Sequence, residues 1–237
     1  MKITKRMQIA AALALTMTGP AVAVEAGQQR LAFEVLLDDK PIGSHSFIIR
    51  DEGPSRIVET RASFDVNVLF VPVFKYRHTN TETWRNGCVE QISSTTDSNG
   101  KDYRVAVAKN ASGYEIRTNR GESSLGTECM MSFAYWDRRF LEQDRLINTQ
   151  TGEVIPVQVK PLGKISLQLA DREVVAEGYR VLAEAEDVDI RVYYDDTTGH
   201  WVSLESVLEG GRKMRYVPAM GLLASSADDL DRTGGAQ

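Results

Sequence analysis

Apolar and polar residues alternate with a period of two along most of this chain, the pattern of strands that bury one face. "LAFEVLLDDKPIGSHSFIIRD" (Leu31–Asp51) predicts two strands about a turn at Asp38–Gly43. "RIVETRASFDVNVLF" (Arg56–Phe70) predicts a long strand with Val58, Ala62, Phe64 and Val66 on one face. "FKYRHTNTETW" (Phe74–Trp84) follows, with Phe74, Tyr76, His78, Asn80, Glu82 and Trp84 on one side and Lys75, Arg77 and three threonines on the other. Further strands are expected near 88–97, 102–109 and 113–119, joined by "SNGK" and "NASG", which are hairpin turn sequences. Later strands read as "EVIPVQVKP", "KISLQLA", "REVVAEGYRVLAEA", "VDIRVYYDD", "HWVSLESVLEG" and "RKMRYVP".

One interval breaks the rhythm. Ser123–Glu153 has no clear alternation; a short helix is expected around Phe133–Gln143, with loop elsewhere. Such an insert in an all-β chain is either a plug or lid for a barrel or a connector. Many strands with short turns require an antiparallel sheet that covers itself, and strands of this length twist and curl. The expected fold is therefore all-β: a strongly curved antiparallel sheet or open β-barrel with a short helical or loop insert. A single β-rich domain over residues 27–217 and a flexible, acidic tail over 218–237 complete the expected organisation.

The first residues change the picture of where this domain works. Lys2, Lys5 and Arg6 precede a short apolar run, Ile9–Gly19, and then "AVA" (Ala21–Ala23). This is the pattern of a cleaved signal peptide, with cleavage expected after Ala23 or after Ala26. No Cys follows the run to take a lipid anchor. The expected location is the periplasm, as a soluble and unlipidated protein. Removing residues 1–23 takes away three basic side chains and no acid, leaving 25 Lys and Arg against 33 Asp and Glu. An acidic chain without a basic block argues against nucleic acid and against docking on anionic lipid. Cys88 and Cys129, an even pair in an exported chain, are expected to form a disulfide.

Candidate chemistry is sparse. Nucleophile-elbow, zinc-protease and glycine-rich phosphate-loop motifs are missing. His45, His78 and His200 are the three histidines. His45 and His78 approach each other if their strands line one wall. His78 and Glu82 lie about 13 Å apart along a regular strand, too far to share a metal ion. No metal and no cofactor is expected. Tyr135 and Trp136 in "SFAYWDRR" are placed to close over a cavity, with Arg138 or Arg139 meeting an anionic head group, or else to seat an amphipathic turn on the sheet. "VNVLFVPVF" (Val66–Phe74) reads as an exposed lip or as a buried strand bent at Pro72.

Three stretches, "VLLDDKPIGSHSF" (Val35–Phe47), "FKYRHTNTETWRNGCVEQISSTTDSNG" (Phe74–Gly100) and "SFAYWDRRFL" with "LINTQTGE", resemble an exported bacterial family known as a domain of unknown function, number six-one-three-four. The resemblance covers most of the chain after the signal segment. Its family-like positions are Gly43, His45, Phe47, Tyr76, His78, Glu82, Trp84, Gly87, Tyr135, Trp136 and Gly152. It implies a curved antiparallel sheet and no particular activity.

The first functional reading is an exported, non-catalytic protein that binds a hydrophobic or amphipathic ligand, a lipid or fatty-acyl group, in a barrel-like cavity. Its expected ligand-binding residues are His45, Phe47, Phe74, Tyr76, His78, Glu82, Trp84, Tyr135 and Trp136. Two alternatives stand beside it. One is an enzyme acting on a small apolar substrate with His45 or His78 as acid–base residue; the other is an envelope interaction module without a ligand.

Overall fold

A computed structural model describes residues 27–68, 71–169, 172–183 and 188–219. Residues 1–26, where a signal peptide is expected, and residues 220–237 of the expected tail lie outside the described residues. Sixteen strands form in chain order: β1 Gln28–Leu37, β2 Lys40–Glu52, β3 Ser55–Val68, β4 Val71–Arg85, β5 Cys88–Ser98, β6 Lys101–Asn110, β7 Gly113–Thr118, β8 Gly121–Leu125, β9 Met131–Ser132, β10 Arg145–Ile147, β11 Val154–Pro156, β12 Gln158–Leu169, β13 Arg172–Ala183, β14 Val188–Asp195, β15 Trp201–Val207 and β16 Lys213–Pro218. Thirteen of them make one antiparallel sheet in the order β12-β13-β14-β15-β16-β1-β2-β3-β4-β5-β6-β7-β8. The sheet is strongly curved and not closed, since β12 and β8 remain its two edges.

The turns explain why consecutive strands pair. Asp38 and Asp39, Asn86 and Gly87, and Asn99 and Gly100 all have positive φ at both central positions. That backbone matches the twist of the flanking strands, and Asn, Asp and Gly tolerate it best. The first hairpin therefore turns at Asp38–Asp39, tighter than the expected Asp38–Gly43, and Pro41 and Gly43 sit inside β2. Gly43 has its own reason. A Cβ there would fall 1.9 Å from the Ser63 carbonyl oxygen of β3, at φ +153°.

The strands near 88–97, 102–109 and 113–119 fall where alternation places them. "EVIPVQVKP" and "KISLQLA" do not form as written: Val154–Pro156 pairs in a small separate sheet, and the rest fuses into β12 across a shift at Pro161–Gly163. Pro161 is tolerated because β12 is an edge, where one row of amides needs no partner. Strand β8 was not visible in the alternation.

Residues 126–157 run across the concave face. They carry the three-stranded sheet β11-β10-β9 and a single 3-10 turn at Arg138–Glu142, in place of the helix expected over Phe133–Gln143. Met130, Met131, Phe140, Leu146, Ile147 and Ile155 are each at most 3 % exposed and join one continuous core with Phe33, Val35, Val58, Trp84, Val107, Val192 and Trp201. Burying side chains of this size stabilises by roughly 1.5–3 kcal/mol each. The insert is thus a plug that gives the concave face its second layer. It is fastened at its start by the Cys88–Cys129 disulfide. Beside that bond the Tyr114 hydroxyl donates to the Val89 carbonyl and accepts from the Met130 amide.

Candidate functional site

Strand β4 carries Phe74, Tyr76, His78, Asn80, Glu82 and Trp84 in file, and exposure falls from 37 % at Phe74 to 2 % at Trp84. The file therefore runs from an open rim to a sealed floor. At the rim Tyr76 stacks against Phe64 at 5.3 Å and Phe74 at 6.4 Å between ring centroids, and His78 follows at 6.2 Å. Val73 is exposed beside Phe74. This part of "VNVLFVPVF" is a lip, whereas Val66 is buried; residues 69–70 lie outside the described residues.

The sealed end is structural. The Glu82 carboxylate accepts from Asn80 Nδ2 and Trp84 Nε1 at 2.7 Å each and from Ser132 Oγ at 3.1 Å. Burial pushes its pKa up, against the pull of these three donors. Three donors converge on this buried carboxylate and give each of its oxygens a hydrogen bond. Trp84 meets Trp136 edge-on at 5.3 Å. Trp136 itself turns to an outer groove of about 190 Å³ with Arg56, Arg85 and Arg139. Glu82, Trp84 and Trp136 were expected to line one cavity with the other site residues. Glu82 and Trp84 instead lie at the buried end of the file, where Ser132 and Trp136 of the insert pack on them.

The middle of the file differs. Pairing across β1 to β5 sets Phe33, His45, Ala62, His78 and Thr96 in one row. Ala62 separates the two imidazoles, so their Cα atoms are about 10 Å apart by sheet spacing. The neighbouring row is Leu31, Phe47, Thr60, Asn80 and Ser94. Small and polar side chains thus make a strip on a face that is otherwise large and apolar. His78 Nδ1 shares a hydrogen bond with Thr96 Oγ1 at 2.8 Å, and His45 Nδ1 with the Tyr216 hydroxyl at 3.1 Å. Phe47 lies against the His45 ring at 4.4 Å.

Two atoms in this strip are buried without a partner, His45 Nε2 and Asn80 Oδ1. Leaving such an atom unmet costs roughly 1–3 kcal/mol. Burial depresses His45 to about 3, helped by the charge of His78, and depresses His78 to about 4. Both rings are neutral at pH 7. The phenols of Tyr76, Tyr135 and Tyr216 are pushed up mainly by burial, with smaller contributions from the charge of Tyr103 on Tyr76, of Tyr76 on Tyr135, and of Tyr135 and Tyr76 on Tyr216, so all three keep their protons.

The plug lies directly against this wall. The Tyr76 hydroxyl donates to Gln150 Oε1 at 3.0 Å, and Ser94 donates to the Thr149 carbonyl. Tyr135 sits 5.4 Å from Trp201, and its carbonyl accepts from the Tyr194 hydroxyl at 2.8 Å. Gly152 seats this loop on β7, where a Cβ would fall 2.7 Å from Thr118 Cγ2.

Of the expected site residues, His45, Phe47, Tyr76, His78 and Tyr135 gather about this strip, and Phe74 lies at the exposed end of the file. Arg138 is bound to Glu177 and Tyr179, and Arg139 to Asp137. Their guanidinium groups are occupied within the protein, which favours the seated turn over contact with an anionic head group. The sequence reading missed Thr60, Ser94, Thr96 and Tyr216 as members of the strip. Asn80 shares the parity of His78 and was legible. Among the described residues no group of three His, Cys, Asp or Glu side chains is placed to hold a metal ion.

The comparisons agree with this architecture. No match is found among curated proteins. A solved structure that is similar bears the description "Crystal Structure of Beta-barrel-like Protein of Domain of Unknown Function DUF1849 from Brucella abortus". It aligns with a TM-score of 0.56 and 11 % identity over 83 % of this chain and 98 % of that one, a likeness of fold alone. The profile of the family described as "Domain of unknown function (DUF6134)" matches residues 33–219, which hold the whole polar strip and the plug above it, and the chain belongs to that family.

Proposed function

We propose that the protein is an exported, non-catalytic carrier that holds a hydrophobic or amphipathic ligand, a lipid or fatty-acyl group, inside its curved sheet. The ligand enters at the rim beside Phe74 and Tyr76 and places its polar end on the strip between His45 and Asn80. The observation that carries this reading is the pair of buried, unpartnered atoms, His45 Nε2 and Asn80 Oδ1, on an inner wall floored by Ala62 and Thr60. A fold selected only for packing would fill these positions with apolar side chains, since unmet buried polar groups are costly. Binding sites use this composition: aromatic walls for the body of a ligand and a few polar atoms for its end. The depressed histidines support a binding role over acid–base chemistry, because a group titrating near 3 or 4 is poorly matched to proton transfer at neutral pH. The location is proposed from the n-region, the short apolar run and "AVA".

The test is native mass spectrometry of protein purified from the cell envelope without detergent, before and after organic extraction. The expected result is a bound species that extraction removes and added monoacylglycerol restores. Protein that carries nothing and takes up nothing would end the proposal.

A further inference from the structure

We infer that the polar end of the ligand is uncharged and donates a hydrogen bond, as a hydroxyl or amide does, and is not a carboxylate or phosphate. This rests on the ligand-holding reading above and follows from the inventory of donors, acceptors and charges around the strip.

Asn80 fixes the polarity. Its Nδ2 donates to Glu82, which with the carboxylate ionised holds the amide in this orientation, and the buried Oδ1 left without a partner is an acceptor and nothing else. An acceptor needs a donor opposite. His45 Nε2 adapts: it donates when the Tyr216 hydroxyl donates to Nδ1, and accepts when Nδ1 carries the proton. A primary amide or a diol can give a proton to Asn80 and also meet His45 in either state, whereas a single hydroxyl meets both only when His45 Nε2 carries the proton. A carboxylate or phosphodiester has only acceptor atoms. It would leave Asn80 Oδ1 unmet and set an oxygen against an oxygen.

The strip also lacks a countercharge. Glu82 is the one charged residue type among the buried described residues, and no Lys or Arg is buried there. Arg138 is paired with Glu177, Arg212 with Asp38 and Arg215 with Asp39. Lys75 and Arg77 have the opposite parity on β4, and Arg77 pairs with Asp65. An anion brought onto the strip would be desolvated without a partner and would lie two positions along β4 from Glu82, which is among the most costly arrangements a protein interior can hold.

The experiment measures displacement of N-phenyl-1-naphthylamine, a neutral probe, from the full mature chain at pH 7.5. Competitors share one eighteen-carbon monounsaturated chain and differ at the head: monooleoylglycerol and oleamide against oleate and oleyl sulfate, whose heads carry acceptor atoms only. The expected result is that the neutral pair binds about tenfold tighter or more, a difference of about 1.4 kcal/mol. Asn80→Leu, checked for fold by circular dichroism, narrows that preference. Oleate that competes as well as oleamide overturns the head-group inference and leaves the carrier reading standing. If no competitor and no probe binds, the carrier reading falls and this inference falls with it. The wild-type ranking decides the matter even where Asn80→Leu fails to fold.

Discussion

Acidification tests the burial of the two histidines sharply. His45 and His78 have pKa values of about 3 and about 4 in the folded chain, against 6.5 when free. A base whose folded pKa is depressed binds its proton more readily in the unfolded chain. Stability is therefore full above pH 6.5 and is lost as pH falls below it, levelling out only near the folded values. Between pH 7.5 and 5.0 each ring gives up about 2 kcal/mol, from 1.5 pH units below 6.5 at 1.36 kcal/mol per unit, and the two together about 4 kcal/mol. Glu82 opposes this. Its pKa is raised by burial, so its penalty is relieved as pH falls through the folded value. The measurement must therefore be a difference. Urea unfolding, followed by tryptophan fluorescence at pH 7.5 and 5.0, is compared between the wild type and the His45→Gln/His78→Gln double variant, in which Glu82 titrates unchanged. The wild type should lose about 4 kcal/mol more than the double variant, and each single variant should fall about midway. An equal loss in both proteins, within about 0.5 kcal/mol, would mean that the imidazoles are solvated. The buried strip would then be refuted.

The remaining expectations concern the plug and its seat. Replacing Cys88 and Cys129 by Ser opens a link of 41 residues' separation and should cost about 4 kcal/mol on the chain-entropy account, read as a lower urea midpoint. Ser132→Ala removes one of three donors to the buried Glu82 carboxylate and should cost about 1–3 kcal/mol, with no change in any bound species by native mass spectrometry. Trp84→Ala should cost about 3–5 kcal/mol and likewise leave the bound species unchanged, because the ring closes the floor. Gly43→Ala drives a methyl group into the Ser63 carbonyl and should prevent β2 from pairing with β3, seen as loss of the cooperative thermal transition.

The alternation of "FKYRHTNTETW" was enough to place Tyr76, His78, Asn80, Glu82 and Trp84 on one wall, because strand geometry fixes parity without reference to any other segment. Short turns such as "SNGK" made the hairpins legible for the same reason. The division of that wall into a strip with unpartnered polar atoms and a fully bonded buried end was not legible. It depends on Ser132 meeting Glu82 and on Gln150 meeting Tyr76, contacts spanning 50 and 74 residues that no local pattern announces. Tyr216 joined the site for a similar reason: β16 pairs with β1, the two ends of the domain closing on each other. The fusion of "KISLQLA" into β12 was hidden because Pro161 and Gly163 read as a break, which an edge strand tolerates as a bulge.

The central claim is that a ligand lies against the concave wall at the Phe74–Tyr76 mouth. It is tested most directly by irradiating the protein with monoacylglycerol carrying a diazirine in its acyl chain, then mapping the modified peptides. The account predicts labels on the peptides holding Phe64, Phe74 and Tyr76, and their loss when unlabelled monoolein is added in excess. Labels confined to outward-facing residues such as Thr79 and Thr95, or labels that excess monoolein does not displace, would contradict it.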